Sequence, residues 1–237
     1  AYKRNNMAKT NKEKIEIELD NKEKALAQAP VIVSASRSTD IPAFYCDWFF
    51  HRLKVGYSAW INPFNGVKMY VSYAKTRFIV FWSKNPRPLL NHIDELKARG
   101  IGCYVQYSLN DYEEEKLERG VPPLAERIET FKKLVDVLGK GSVIWRFDPL
   151  VLTEDITIEK LLNKIENIGD QLKGYTEKLV FSFVDILSYN KVKNNLKANG
   201  ISFVDWTEEQ MAEFASRLVA LNKEKGWNYK LATCGER

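Results

Sequence analysis

The chain has 237 residues, of which 45% are hydrophobic and 28% charged, so it is long enough to bury one sizeable core. Its 36 Lys and Arg against 31 Asp and Glu give a formal charge of +5, which permits contact with phosphate or nucleic acid without requiring it. The 3 cysteines are far apart, which excludes a disulfide framework, and no stretch reaches the roughly 20 apolar residues of a membrane span. We expect a cytoplasmic protein with no membrane partner.

The chain is predicted to divide at residue 30. Residues 1–30 form a charged N-terminal arm, rich in Lys, Glu and Asn, and residues 31–237 form a single α/β barrel domain. A charged helical or disordered arm is one interpretation of the first segment. The alternation in "KIEIEL" equally permits an edge strand.

Beyond the arm, short apolar runs alternate with helical patterns, which is typical of β/α units. Strands are predicted at residues 31–35, 78–82, 103–109, 143–147, 178–184 and 229–233. Helices are predicted over residues 42–54, 87–99, 123–138, 157–172 and 207–225, where apolar residues recur three and four positions apart. The segment "YSAWINPFNGVKMYVS" interrupts the alternation and predicts a β-hairpin.

This pattern predicts the α/β class, with a parallel sheet and helices outside it. For a chain of this length we expect a partial (β/α)6 TIM-like barrel with one inserted β-hairpin. An open, doubly wound sheet is the alternative.

Polar residues follow or interrupt the predicted strands at their carboxyl ends, where parallel α/β folds bind ligands. The predicted ligand-binding residues are Arg37, Asp40, Lys84, Asn85, Gln106, Arg146, Asp148, Asp185 and Glu236, with Cys234 as a thiol at the same rim. No catalytic residue is assigned among them. Together they predict a site for a small molecule or a nucleic-acid-derived ligand that bears carboxylate or phosphate groups.

Structural explanations exist for most of these residues. Asp40 can cap the helix predicted to begin near residue 42, and Lys84 and Asn85 can belong to a turn. Arg146 and Asp148 share strand parity and can form an internal ion pair. Helix caps explain carboxylates but not the cations and amides at the same rim, so the ligand site is kept as the prediction.

Aromatic residues are predicted to serve two purposes. Those of "FIVFW", which include Trp82, are expected in the core. Trp60, Phe64 and Tyr70 in the hairpin are candidates for an exposed surface that stacks on a nucleobase or contacts an aromatic partner.

Six segments taken in order resemble an uncharacterised bacterial family known as domain of unknown function 1848, from about residue 31 to the end. They read "SASRSTDIPAFY", "NPFNG", "IVFWSKNPRPLL", "VIWRFDPL", "FSFVD" and "TCGE". The family is in turn similar to radical S-adenosylmethionine enzymes, and "SKNP" resembles a segment of the spore photoproduct lyase group. The resemblance implies a [4Fe-4S] cluster and S-adenosylmethionine as cofactors.

The cluster ligands are expected to be absent from this chain. In the family that it resembles, the cysteine cluster lies near the C-terminus, after the matched region. Cys46, Cys103 and Cys234 are too widely separated to supply the thiolates of one cluster, so we predict no metal site within this chain.

Two functional hypotheses follow. The first is a radical S-adenosylmethionine-like enzyme of unknown substrate, with its ligand site at the carboxyl ends of the strands and a nucleotide or nucleic acid as its target. The alternative is a non-catalytic module that recognises a nucleotide, a nucleic acid or a protein partner.

Overall fold

The computed structural model describes residues 13–36, 39–62, 65–118, 120–184 and 202–234, together with residues 194 and 200. The strands are β1 (Lys14–Glu18), β2 (Lys24–Gln28), β3 (Ile32–Ser34), β4 (Tyr57–Ile61), β5 (Lys68–Ser72), β6 (Phe78–Ser83), β7 (Gly102–Ser108), β8 (Val143–Leu150), β9 (Lys178–Phe183) and β10 (Lys230–Thr233). The helices are α1 (Ile41–Phe44), α2 (Cys46–Val55), α3 (Ile93–Ala98), α4 (Leu124–Leu138), α5 (Ile158–Leu172) and α6 (Glu208–Glu224), with a 3-10 helix at Arg87–Asn91.

The larger sheet has six parallel strands in the order β3, β6, β7, β8, β9 and β10. All six predicted parallel strands are therefore confirmed. The order follows the chain without the reversal that defines a doubly wound sheet. No pairing joins β3 to β10 in the described residues, so the structure is a parallel sheet flanked by helices in which no closed barrel is seen.

Side chains alternate between the two faces of this sheet. One face packs against the helices through ring contacts that join Phe81 to Phe49, Tyr107 to Phe131 and Phe181 to Phe214. The opposite face carries the intervening residues, which are mostly polar towards the carboxyl ends of the strands. This second face and its upper rim hold the candidate site.

The helices begin where the sequence predicts. The Thr157 hydroxyl accepts from the Lys160 N–H at the start of α5, and Thr207 with Gln210 forms a capping box at the start of α6. Two of the predicted helices are divided. The helix over 42–54 is divided into α1 and α2 at Tyr45, and the one over 87–99 into the 3-10 helix and α3.

The smaller sheet has the order β1, β2, β5, β4 and contains the predicted hairpin as the antiparallel pair β4 and β5. Strand β1 lies at its edge and pairs with β2, which in turn pairs with β5. Residues 14–18 and 24–28 of the predicted arm are thus strands, so the edge-strand interpretation of "KIEIEL" is correct for this segment and the helical one is wrong. No helix within the described ranges has the length and apolar character needed to cross a membrane.

Candidate functional site

Asp40 joins the loops that follow the first two strands of the larger sheet. Its Oδ1 accepts from the Ala43 N–H at 3.0 Å and so caps α1, as predicted for an acidic residue before a helix. Its Oδ2 accepts from the Lys84 backbone N–H at 2.8 Å, just beyond β6. One carboxylate therefore fixes two neighbouring strand ends relative to each other.

Arg146 and Asp148 form an ion pair on the open face of β8. The guanidinium donates to Asp148 Oδ2 from Nε at 3.2 Å and from Nη2 at 2.5 Å, and to Gln106 Oε1 from Nη1 at 2.9 Å. Ser182 on β9 donates to the other carboxylate oxygen. The Arg146 side chain is only 3% exposed, so its donors are directed to the protein's own acceptors.

Trp82 lies on the same face, one strand beyond Gln106. The guanidinium carbon of Arg146 lies 4.1 Å from the centroid of the Trp82 ring, and the indole N–H donates to Ser108 Oγ at 3.1 Å. The residue is nevertheless 39% exposed, which corrects the prediction that it belongs to the core. With Arg146 over one face of the indole, the exposed surface comes from the other face and the ring edge.

Lys84 is half-exposed and forms an ion pair with Glu118, a residue that sequence reasoning missed. Glu118 lies in the long segment between β7 and α4, and its carboxylate also accepts from Asn110 Nδ2 at 2.9 Å. Asn110 in turn donates to the Asp148 carbonyl at 3.1 Å and accepts from the Asp148 N–H at 2.8 Å. Hydrogen bonds thus run without interruption from the end of β6 to the end of β8.

Asp40, Trp82 and Lys84 line a pocket of about 410 Å³ at the carboxyl ends of β3, β6 and β7. It is lined by Ser36, Thr39, Asp40, Trp82, Ser83, Lys84 and Ser108. A second pocket of about 320 Å³ is lined by Tyr112, Glu113, Lys116, Glu118, Val121 and Pro123. Lys84 therefore lines the first pocket, and its ion-pair partner Glu118 lines the second.

Several buried polar atoms without a hydrogen-bond partner lie at or near this end of the sheet. Within the described residues they include Ser36 Oγ, Asn85 Oδ1, Tyr107 OH, Glu118 Oε2 and Arg127 Nε. Such atoms are uncommon in folded proteins and call for a structural or functional reason.

Tyr104 shares the open face with Trp82 and Gln106. Burial raises the pKa of its hydroxyl, and the positive charge of Arg146 offsets part of that rise. The hydroxyl therefore stays protonated at neutral pH and remains a hydrogen-bond donor.

The structure brings together five of the predicted ligand-binding residues, namely Asp40, Lys84, Gln106, Arg146 and Asp148. Asn85 follows Lys84 in the same loop, and its N–H donates to Ser83 Oγ at 3.0 Å. Arg37, Asp185 and Glu236 lie outside the described residues. Cys234 is exposed after β10 and forms no part of the pocket.

The predicted stacking surface of the hairpin is not one surface. Trp60 pairs with Met69 across the two strands, whereas Tyr70 pairs with Ala59. Because cross-strand partners share a face and successive residues alternate, Trp60 and Tyr70 point to opposite faces of the smaller sheet. Both are half-buried, and Phe64 lies outside the described residues.

A model of the family described as Domain of unknown function (DUF1848) matches residues 32–237. The chain belongs to the DUF1848 family. No curated protein matches the chain, and neither result supports the resemblance to radical S-adenosylmethionine enzymes.

The described cysteines of this DUF1848 chain do not fit an iron-sulfur cluster. Cys46 begins α2 and Cys103 lies near the amino end of β7, both in the apolar core, whereas Cys234 is exposed at the other end of the sheet. Burial raises the pKa of the Cys46 thiol to about 12 and that of Cys103 to about 11, which disfavours the thiolates that a cluster needs. The described residues contain no group of 3 or more His, Cys, Asp or Glu side chains placed to hold a metal ion.

Proposed function

We propose that this DUF1848 domain binds a small polar ligand in the pocket at the carboxyl ends of β3, β6 and β7, and that a planar ring of the ligand stacks on Trp82. The proposal rests on the contacts and the solvent exposure of the Trp82 side chain. Its indole is fixed by Arg146 and Ser108, yet it is 39% exposed within a pocket. A rigid aromatic face kept open to solvent is suited to a ring that covers it on binding.

The pocket favours a heteroaromatic ring over a purely apolar one. Its wall carries serine and threonine hydroxyls, and Gln106 and Tyr104 lie nearby on the same face. A nucleoside or nucleotide supplies both the ring and the polar atoms that this wall would bind. Stacking of a base on an aromatic side chain contributes about 1–3 kcal/mol, enough to measure by substitution.

The test compares Trp82→Ala with Trp82→Phe by isothermal titration calorimetry, with adenosine and S-adenosylmethionine as probes. We expect Trp82→Ala to weaken binding by about tenfold or more, and Trp82→Phe to keep most of the affinity because it retains a ring. Trp48→Ala is the matched control, since Trp48 is 46% exposed on α2 and does not line the pocket. Affinity that survives Trp82→Ala, or the failure of both probes to bind the unaltered protein, would refute the proposal.

A second proposal is an enzyme with a partial (β/α)6 TIM-like barrel of the radical S-adenosylmethionine type, as the sequence resemblance implies. What favours it is the strand order, in which six parallel strands follow the chain and turn polar at one end. Anaerobic incubation of the longest natural form of the protein with iron and sulfide tests it. A brown, cluster-bearing product is expected under this proposal, and a colourless product would rule it out.

The non-catalytic alternative uses the same pocket, but the protein would then bind the ligand without converting it. A ligand recovered unchanged after incubation supports a binding module, and a converted one supports the enzyme. We also propose a cytoplasmic location, because Cys46, Cys103 and Cys234 are all free thiols.

A further inference from the structure

We infer that the ligand carries an acidic group, a phosphate or a carboxylate, beside its ring, and that Lys84 binds this group after leaving Glu118. The ring position rests on the proposed function. The acidic subsite rests on different residues, so that the two can fail separately.

The pocket offers hydroxyl groups that can donate hydrogen bonds. Ser83 Oγ accepts from the Asn85 N–H, and Ser108 Oγ accepts from the Trp82 indole N–H, so each of these hydroxyl protons is left to donate. Ser36 Oγ is buried and has no partner among the described residues.

Asp40 supplies the carboxylate of this wall, and both of its oxygens already accept from backbone N–H groups. A pocket that contains Lys84 and hydroxyls with protons to donate is complementary to a group that is rich in acceptors. Phosphate and carboxylate groups have this character, whereas an amine or ammonium group does not.

Lys84 is the cation that can turn towards such a group. Its side chain is 44% exposed and lines the pocket, and its ammonium has three donors, of which Glu118 is the partner found in the described residues. Arg146 differs, since it is 3% exposed and is held by Asp148 and Gln106. The sequence predicted anion-binding roles for both residues, and only Lys84 has the freedom to perform one.

Glu118 can release Lys84 at low cost because two other groups stabilise its charge. Asn110 Nδ2 donates to Oε1 at 2.9 Å, and Arg127 Nη1 lies 3.9 Å from Oε2. The Arg127 side chain is only 1% exposed, so its charge acts on the carboxylate with little screening by water. Glu118 would thus bind Lys84 in the absence of ligand. After Lys84 has moved to the acidic group of the ligand, Arg127 would still balance the charge of Glu118.

The inference is tested by measuring the affinities of adenosine, AMP and inorganic phosphate for Glu118→Gln, Lys84→Gln and the unaltered chain. We expect Glu118→Gln to bind AMP and phosphate about fivefold more tightly, the equivalent of about 1 kcal/mol from a competing ion pair whose lysine is half-exposed, with adenosine unchanged. Lys84→Gln should bind AMP no better than adenosine. Lys133→Gln is the control, because Lys133 forms an exposed pair with Glu129 on α4, away from the pocket.

Equal AMP affinities in Lys84→Gln and the unaltered chain would overturn the inference. So would a folded Glu118→Gln variant with unchanged AMP affinity. Because Lys84 is half-exposed, we expect Lys84→Gln to fold. The Lys84→Gln measurement therefore still tests the inference if Glu118→Gln does not fold.

The outcomes separate the two proposals. If adenosine binding depends on Trp82 but AMP binds no more tightly than adenosine, the acidic subsite is refuted and the ring site is supported. If phosphate binding depends on Lys84 but the affinity for adenosine is the same with and without Trp82, the ring site is refuted and the acidic subsite is supported. A short 5′-phosphorylated oligonucleotide distinguishes the sources, since tighter binding than AMP assigns the subsite to a nucleic-acid end and weaker binding assigns it to a free nucleotide.

Discussion

Removing the carboxylate of Asp148 should destabilise the fold more than removing the guanidinium of Arg146, because the two partners are buried to different degrees. The Arg146 side chain is 3% exposed and that of Asp148 is 17% exposed. Asp148→Ala leaves a buried cation whose remaining acceptor is Gln106, which costs about 3–5 kcal/mol. Arg146→Met leaves a carboxylate that still accepts from Ser182 and partly contacts water, and the lost charged hydrogen bonds cost about 1.5–3 kcal/mol.

Urea denaturation followed by circular dichroism measures both values. Glu213→Ala serves as the control, since Glu213 forms an exposed pair with Arg217 and should change the free energy of unfolding by no more than about 0.5 kcal/mol. The reasoning is refuted if Asp148→Ala costs less than about 1 kcal/mol, or if Arg146→Met proves the more costly of the two.

Two further changes test the packing and the pH dependence of the fold. Gly169→Ala should lower stability by about 1–3 kcal/mol in thermal unfolding, because a Cβ there would lie 2.6 Å from the ring of Trp227; an unchanged midpoint contradicts this. Burial raises the pKa of Asp111 despite the nearby charge of Lys164, so its ionisation opposes folding, and stability is lost as the pH rises through the folded-state pKa. Asp111→Asn should therefore be more stable than the unaltered chain at neutral pH and equal to it well below the ordinary Asp pKa of 3.8, and a difference that persists in acid would disprove the assignment.

The six parallel strands could be predicted because their signal is local. The run "FIVFW" is apolar on both faces of the strand, "VIWRF" is apolar except for Arg146, and the helical spacing between such runs is equally local. Which face the helices leave uncovered is decided by distant packing. Phe81 and Trp82 are adjacent and similar in hydrophobicity, yet one is fully buried beneath α2 and the other lines a pocket.

The placement of Asp40, Lys84, Arg146 and Asp148 at one end of the sheet could be predicted from the sequence, but their partners could not. Strand parity places Arg146 and Asp148 on one face, but parity does not reveal that they bind each other. Glu118 pairs with a lysine 34 positions earlier and lies in a segment without periodicity, so no sequence pattern indicated it. The sequence did not reveal that Trp60 and Tyr70 point to opposite faces of the smaller sheet. Their faces depend on the register of β4 and β5, in which Trp60 pairs with Met69, and this register could not be read from the sequence.

The strand order has a consequence for how the chain folds. Along the larger sheet each strand lies beside the one completed one unit earlier in the chain, except that the hairpin separates β3 from β6. Pairing in this order closes a loop of one unit at a time, which costs less chain entropy than a connection that spans several units. The sheet can therefore grow strand by strand during synthesis, and β10 is the last to join, against an edge that β9 has already formed.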